Sequence, residues 1–305
     1  MPAASLNYFI LTGATGVGKS DMGLRLAREF SLPILSLDSM QVYRGMDIGT
    51  AKPSAAERGE VRHYLMDEVD PAVDFDVAQF LRQADDLSMR HGGRMLAVGG
   101  SPFYIQALRC GLQGIECHTG YEKILQTMES AQLLRWLQRL DPQRAKKIHG
   151  NDRFRLIRAL EIILSSGARA SERRPLQKVR GSCQVRLVAL NLPRSIMHER
   201  LKTRIEQMFA AGLLDEALEL YDAGRLGRNA AQAVGYKELF AHFAGTCSLE
   251  EAREKILVAT RRLLKHQMTW LRKLPVQWID VDVHHPETAY GELRELLEVY
   301  LETLA

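Results

Sequence analysis

Residues Gly13-Ala14-Thr15-Gly16-Val17-Gly18-Lys19-Ser20 constrain this chain more than any other stretch. They follow a short apolar run at 8–12 and open an amphipathic segment, a complete G-x-x-x-x-G-K-[ST] pattern. Glycines let consecutive backbone N–H groups turn inward around a phosphate, and a helix start beneath them adds its positive dipole end. Lys19 then offers a mobile charge to an outer phosphate, and the Ser20 hydroxyl is a ligand for Mg²⁺. An ordinary glycine-rich β–α turn shares the glycines but has no need of a Lys-Ser pair at the helix start. The pattern predicts a di- or triphosphate site over residues 13–20. It does not say which phosphorylated molecule sits there.

Strands and helices alternate after that loop. A helix is expected over 20–30, then an apolar strand over 33–39 that runs out into Asp38-Ser39-Met40-Gln41. A helix over 77–92 precedes a strand over 94–100, which ends at Gly99-Gly100-Ser101, and further strands are expected at 185–192 and 276–281. This order predicts an α/β chain with a doubly wound parallel sheet of the P-loop NTPase-like kind. Residues at the carboxyl ends of such strands converge on one crevice, so Asp38 and Ser101 should lie near the phosphate loop, with 50–53 closing over it. Between 112 and 183 helices at 124–140 and 152–164 follow one another without a strand. The expected organisation is therefore a core of residues 1–112 and 185–305 with a helical insertion over 113–184. Residues 195–223 and 249–272 read as long helices.

The chain of 305 residues carries 41 basic and 37 acidic side chains, a net +4, but the bases gather at 144–158, 173–180 and 261–273. Local basic surface of this kind suits a nucleic acid, although solvated helix faces produce the same pattern. No apolar run approaches the roughly 18 residues of a membrane span and no signal peptide opens the chain, which predicts a cytoplasmic protein without a membrane partner. Cys110, Cys117, Cys183 and Cys247 are scattered, as expected of reduced thiols. Asp38 comes only one strand after the phosphate loop, and no later apolar run ends in Asp-Glu. The chain thus lacks obvious parts for positioning a hydrolytic water, and a transferase is expected.

Two helical clusters could serve phosphates. Arg155 and Arg158 share a face of the helix that begins near Asp152, suited to diphosphate or nucleic-acid oxygens, unless Arg158 is simply paired with Glu161. In the last long helix, Ala252, Ile256, Leu263 and Leu271 form the expected core stripe. Arg261, Lys265 and Arg272 fall within about 40° of one another and make a basic ridge. Trp270 is available for base stacking or for the core.

These stretches together resemble the bacterial tRNA dimethylallyltransferase family. The resemblance rests on residues 13–20, Asp38-Ser39-Met40-Gln41-Val42-Tyr43, Asp47-Ile48-Gly49-Thr50-Ala51-Lys52-Pro53 and Val98-Gly99-Gly100. It continues through Asn151-Asp152, Arg155, Arg158-Ala159-Leu160-Glu161, Ala233-Val234-Gly235-Tyr236-Lys237 and residues 259–272. It implies that the phosphate loop (Gly13, Ala14, Thr15, Gly16, Val17, Gly18, Lys19, Ser20) holds the diphosphate of dimethylallyl diphosphate, with Mg²⁺ on Ser20. It further implies that Asp38 acts on the adenine N6 of the adenosine beside the anticodon, with Lys19 and Ser101 also catalytic. Asp38, Ser39, Met40, Gln41, Ser101, Lys123, Arg155, Arg158, Gly235, Tyr236, Lys237, Lys265, Gln267 and Arg272 would contact tRNA. The helical insertion would grip the anticodon stem-loop, and a monomer is expected.

The chain departs from the family pattern in places. It reads Gly99-Gly100-Ser101-Pro102-Phe103-Tyr104 where Gly-Gly-Thr-Gly-Leu-Tyr is common. It has Glu116-Cys117-His118-Thr119 for Pro-x-Ala-Asp, Lys123 for Arg, Phe154 for Gln and Gly150 for Pro. Three other readings share the phosphate loop: an adenylate isopentenyltransferase acting on free nucleotide, a small-molecule P-loop kinase, and an RNA-binding descendant without activity.

Overall fold

The computed structural model describes residues 6–112, 119–172, 183–224 and 226–304. The chain divides into two compact units, Met1–Arg109 with Arg180–Ala305, and Cys110–Val179.

The larger unit is built on six parallel strands: β1 (Asn7–Gly13), β2 (Ile34–Ser36), β3 (His63–Tyr64), β4 (Leu96–Val98), β5 (Gln184–Asn191) and β6 (Gln277–Asp280). Their order across the sheet is β3-β2-β4-β1-β5-β6. β1 is central, with Leu11 level with Val98 on one side and Val188 on the other. Its side chains feed two cores alternately. Tyr8 and Ile10 join Leu35, Leu37, Phe80 and Tyr104 on one face, while Phe9 and Leu11 join Leu26, Leu264, Leu293 and Leu297 on the other. Burial on both faces explains why the strand reads as a continuous apolar run.

The expected sheet is thus present, as is the P-loop NTPase-like α/β class. The edge strand β3 is an addition: two half-buried residues make too short a run to stand out by composition. Two expected long helices are each broken. The 195–223 segment is two helices, Arg194–Ala210 and Leu213–Asp222, separated at Gly212, whose φ of 101° no helix accommodates. Unforeseen helices occupy Ala55–Glu60, Tyr236–Phe243 and Pro286–Glu302.

The smaller unit packs Thr119–Thr127, Ser130–Leu140 and Arg153–Ser166 around Leu125, Leu133, Leu137, Leu156, Leu160 and Ile163. The helix expected over 124–140 stops at Thr127, and Glu129 starts a new one, its N–H donating to Gln132 Oε1 at 2.9 Å. Arg153 donates to the carbonyls of Gln126 and Met128 at the break, satisfying acceptors that an ending helix leaves open.

Candidate active site

β1, β2 and β4 are neighbours in the sheet, and their carboxyl ends deliver three loops to one edge. From β1 comes the phosphate loop. Gly16 and Gly18 take φ of 86° and 100°, and helix Lys19–Glu29 starts directly from Gly18. From β2 comes Asp38. Its Oδ1 accepts the Met40 N–H at 2.9 Å, and among the described residues no group bonds its second oxygen.

From β4 comes Gly99-Gly100-Ser101. A Cβ on Gly99 would lie 2.5 Å from the Leu37 carbonyl carbon, so only glycine lets the β4 end run this close to the residue before Asp38. Ser101 N–H donates to the Leu37 carbonyl at 3.1 Å, and Ser101 Oγ accepts the Ser39 N–H at 3.1 Å. Ser101 therefore braces the Asp38 turn from the neighbouring strand. Its hydroxyl oxygen needs neither the family's threonine methyl nor an N–H at position 102. Pro102 simply starts helix Pro102–Cys110, where a missing N–H costs nothing.

Helix Arg194–Ala210 lies over the phosphate loop. A Cβ on Gly16 would stand 3.3 Å from Leu201 Cδ2, and one on Gly18 3.8 Å from an Arg200 guanidinium nitrogen. Arg200 and Arg204 line an open cavity of about 670 Å³ on this helix. Burial, helped by the Arg204 charge and opposed by Asp38 and Asp21, lowers the Lys19 ammonium to about 8. Burial also lowers Arg204, again opposed by Asp38 and Asp21. Two cations are held together here with too little anion to satisfy them. Such a site is electrostatically completed by a polyanion. Sequence reading missed Arg200 and Arg204; the signal available was their i,i+4 spacing on one helix face.

Several residues expected on RNA, and Lys52 beside them, make bonds within the protein. Tyr236 is fully buried, and its hydroxyl donates to Glu216 at 2.5 Å. Glu216 in turn accepts the N–H groups of Asp47, Ile48 and Gly49, so Tyr236 and Glu216 shape the 47–49 turn. Gly235, also buried, starts the Tyr236–Phe243 helix. Gln41 accepts from Ser36 Oγ at 2.9 Å and donates to the Thr50 carbonyl at 3.2 Å. Gln267 is 5% exposed and turned into the protein. Lys52, with a side chain 1% exposed, bonds the Tyr43 carbonyl, Asp47 and Asp67, pinning residues 50–53 from beneath.

Ser39 and Met40 sit half-buried beside Asp38, while Lys237, Lys265 and Arg272 are exposed and Arg261 only partly so. Within the smaller unit Lys123, Arg155 and Arg158 are exposed. Arg158 pairs with the buried Glu161 carboxylate at 3.3 Å, as its i,i+3 spacing allowed. The described cysteines, Cys110, Cys183 and Cys247, are free thiols, and Cys117 and residues 173–180 lie outside the described residues. No helix among the described residues is long and apolar enough to cross a membrane.

A phosphate cradle at the β1 end, surplus positive charge above it and an open carboxylate oxygen at the β2 end, across β4, define an α/β enzyme of the P-loop class that transfers a group from a phosphorylated donor. Comparison with known proteins makes this specific. The model of the family described as IPP transferase matches residues 41–274, and that of isopentenyl transferase matches residues 6–73. A tRNA dimethylallyltransferase 2 from Geotalea uraniireducens is 39% identical over 97% of both chains. A tRNA dimethylallyltransferase from Geobacillus thermodenitrificans is 38% identical over 89% of this chain and 90% of its own. Among solved structures, the full-length tRNA isopentenylpyrophosphate transferase from Bacillus halodurans superposes with a TM-score of 0.71 at 34% identity, covering 98% of each chain. A eukaryotic dimethylallyltransferase acting on tRNA gives a TM-score of 0.73 at 26% identity, over 90% of this chain and 74% of that one. The chain belongs to the IPP transferase family, and it is a prenyltransferase.

Proposed function

We propose that this protein transfers the dimethylallyl group of dimethylallyl diphosphate to N6 of the adenosine beside a tRNA anticodon, working as a monomer and releasing diphosphate. The observation that carries this reading is the pairing of the Lys19–Arg204 charge surplus over the β1 end with the open Asp38 oxygen at the β2 end, on the two sides of β4.

The adenine N6 amine is a poor nucleophile because its lone pair is delocalised into the ring. As the N6–C1 bond forms and the C1–O bond of the donor breaks, the N6 proton passes to Asp38. The leaving electron pair departs on diphosphate, where the loop N–H groups, Lys19 and Arg204 offset its charge. The adenine must leave the anticodon-loop stack to reach Asp38. Ser101 and Met40 N–H hold the Asp38 turn while this happens.

The residues present fit Mg²⁺. Ser20 and Asp21 line a small cavity of about 150 Å³ at the helix start. Among the described residues no group of three Asp, Glu, His or Cys forms a cage, so donor phosphates would complete the coordination. When bound, the ion supplies charge stabilisation to the leaving diphosphate. The exposed cations Lys237, Lys265 and Arg272, and in the smaller unit Lys123, Arg155 and Arg158, supply phosphate contacts to RNA.

Incubation of undermodified tRNA with dimethylallyl diphosphate and Mg²⁺, followed by mass analysis of the nucleosides, tests the reading. One added prenyl mass on an anticodon-loop adenosine is expected. Prenylation of AMP in preference to tRNA would move the reading to a free-nucleotide enzyme. Phosphoryl transfer from ATP without any prenyl donor would replace it with a kinase.

A further inference from the structure

Helix Leu249–Leu271 carries an exposed basic side, with Arg262, Lys265, His266 and Thr269 in solvent. Its inward side contains a residue that apolar packing does not explain. Gln267 is buried between two loops of the site, and both ends of its amide are used. Its Oε1 accepts the Thr15 N–H of the phosphate loop at 2.9 Å, and its Nε2 donates to the Gly100 carbonyl at 3.1 Å. The fit is tight: a Cβ on Gly100 would lie 2.8 Å from Gln267 Nε2 and 3.0 Å from the Gly13 carbonyl. The donor on one side and the acceptor on the other allow only one amide orientation.

Gly100 is followed by Ser101, which bonds Ser39, whose neighbour is Asp38. Three hydrogen bonds, joined through the Gly100-Ser101 and Asp38-Ser39 peptides, therefore connect the diphosphate cradle, Gln267, the β4 loop and the base. We propose that Gln267 is a positioning residue that sets the distance between the phosphate loop and Asp38, and so between the leaving oxygen and the attacking amine. Geometry of this kind matters for rate because bond formation and bond breaking must be aligned at one carbon. A side chain of the same length without the amide would fill the space but leave the Thr15 N–H and the Gly100 carbonyl without their partners, and the two loops free to drift apart. The proposal rests on the prenyl-transfer reading for its rate consequence, but not for its effect on diphosphate binding.

The test uses the full chain and three readouts: calorimetric affinity for inorganic pyrophosphate with Mg²⁺, affinity for an anticodon stem-loop RNA, and prenyl transfer. Gln267→Met should weaken pyrophosphate binding by about tenfold and lower kcat at least as much, with RNA affinity within about twofold. Gln267→Glu keeps the acceptor for Thr15, but sets a carboxylate oxygen against the Gly100 carbonyl and adds negative charge beside the diphosphate. Its pyrophosphate affinity should fall further than that of Gln267→Met. Gly100→Ala pushes the amide away from the opposite side and should reproduce the Gln267→Met pattern, which keeps the idea testable if the methionine variant is poorly folded. Loss of RNA affinity with unchanged pyrophosphate binding would make Gln267 an RNA contact and overturn the proposal. So would unchanged values in all three readouts. If the unaltered protein binds pyrophosphate but transfers no prenyl group, the functional reading fails, while the pyrophosphate comparison still decides the clamp.

Discussion

Diphosphate binding should draw a proton onto Lys19, and the amount follows from the structure. In the free protein burial and the Arg204 charge hold this ammonium at about 8, down from 10.5. A diphosphate in the loop supplies the missing opposite charge and raises the value again. If it returns to the ordinary range, binding takes up about 0.1 proton at pH 7, about 0.5 at pH 8 and about 0.9 at pH 9. Affinity should accordingly fall toward tenfold per pH unit once the pH is well above about 8. Folding shows the opposite dependence. The folded-state value lies below the unfolded one, so between about 8 and 10.5 the unfolded chain binds more protons, and Lys19's contribution makes the protein more stable as pH rises through that window. Calorimetry of pyrophosphate binding at pH 7, 8 and 9, in buffers of different ionisation enthalpy, measures the uptake directly. Lys19→Met serves as the reference that removes the ligand's own ionisation. Equal proton uptake by the two proteins at pH 9 would refute the reasoning.

Asp38→Ala should abolish prenyl transfer while leaving RNA affinity within a small factor, and retained turnover would remove it as the base. Lys265→Ala should weaken RNA binding and reduce the slope of log affinity against log salt by about one unit, read from a salt titration. Gly49→Ala should destabilise the fold by about 3 kcal/mol in denaturant unfolding, because its Cβ would stand 2.5 Å from a Tyr236 ring that Glu216 holds in place.

Residues 13–20 could be read at once because the phosphate cradle is a local object. Its conformation depends on glycines at fixed offsets and on the helix that follows, and those are properties of a dozen consecutive residues. The parallel sheet was legible for a similar reason: Tyr8–Leu11 of β1 and Leu187–Leu190 of β5 are buried on both sides and so form unbroken apolar runs. Helix existence was visible and helix continuity less so. Gly212 and Glu129 each break a long periodic segment, yet the apolar period runs on across both breaks.

Which way a helical side chain points is settled by what lies against it, and sequence carries that only indirectly. In Leu249–Leu271 the expected stripe included Leu263, but the buried line runs through Thr260, Leu264 and Gln267. Two of those three are polar, and they are tolerated inside because their bonds are met: Thr260 by the Ile256 carbonyl, Gln267 by Thr15 and Gly100. Tyr236 went the same way, drawn inward by Glu216 from a helix more than ten residues earlier. Arg204 became part of the site only because helix Arg194–Ala210 crosses the phosphate loop.

The phosphate loop, a carboxylate one strand later along the chain, the α/β frame and the family were all legible from residue order alone, since these rest on local patterns and on matched motifs. How the loop and the carboxylate are held together, through Gln267 and Ser101, and that the Arg204 charge sits above them, depends on packing in three dimensions. The bonds involved join residues up to 252 positions apart, between polar groups whose partners no local pattern names.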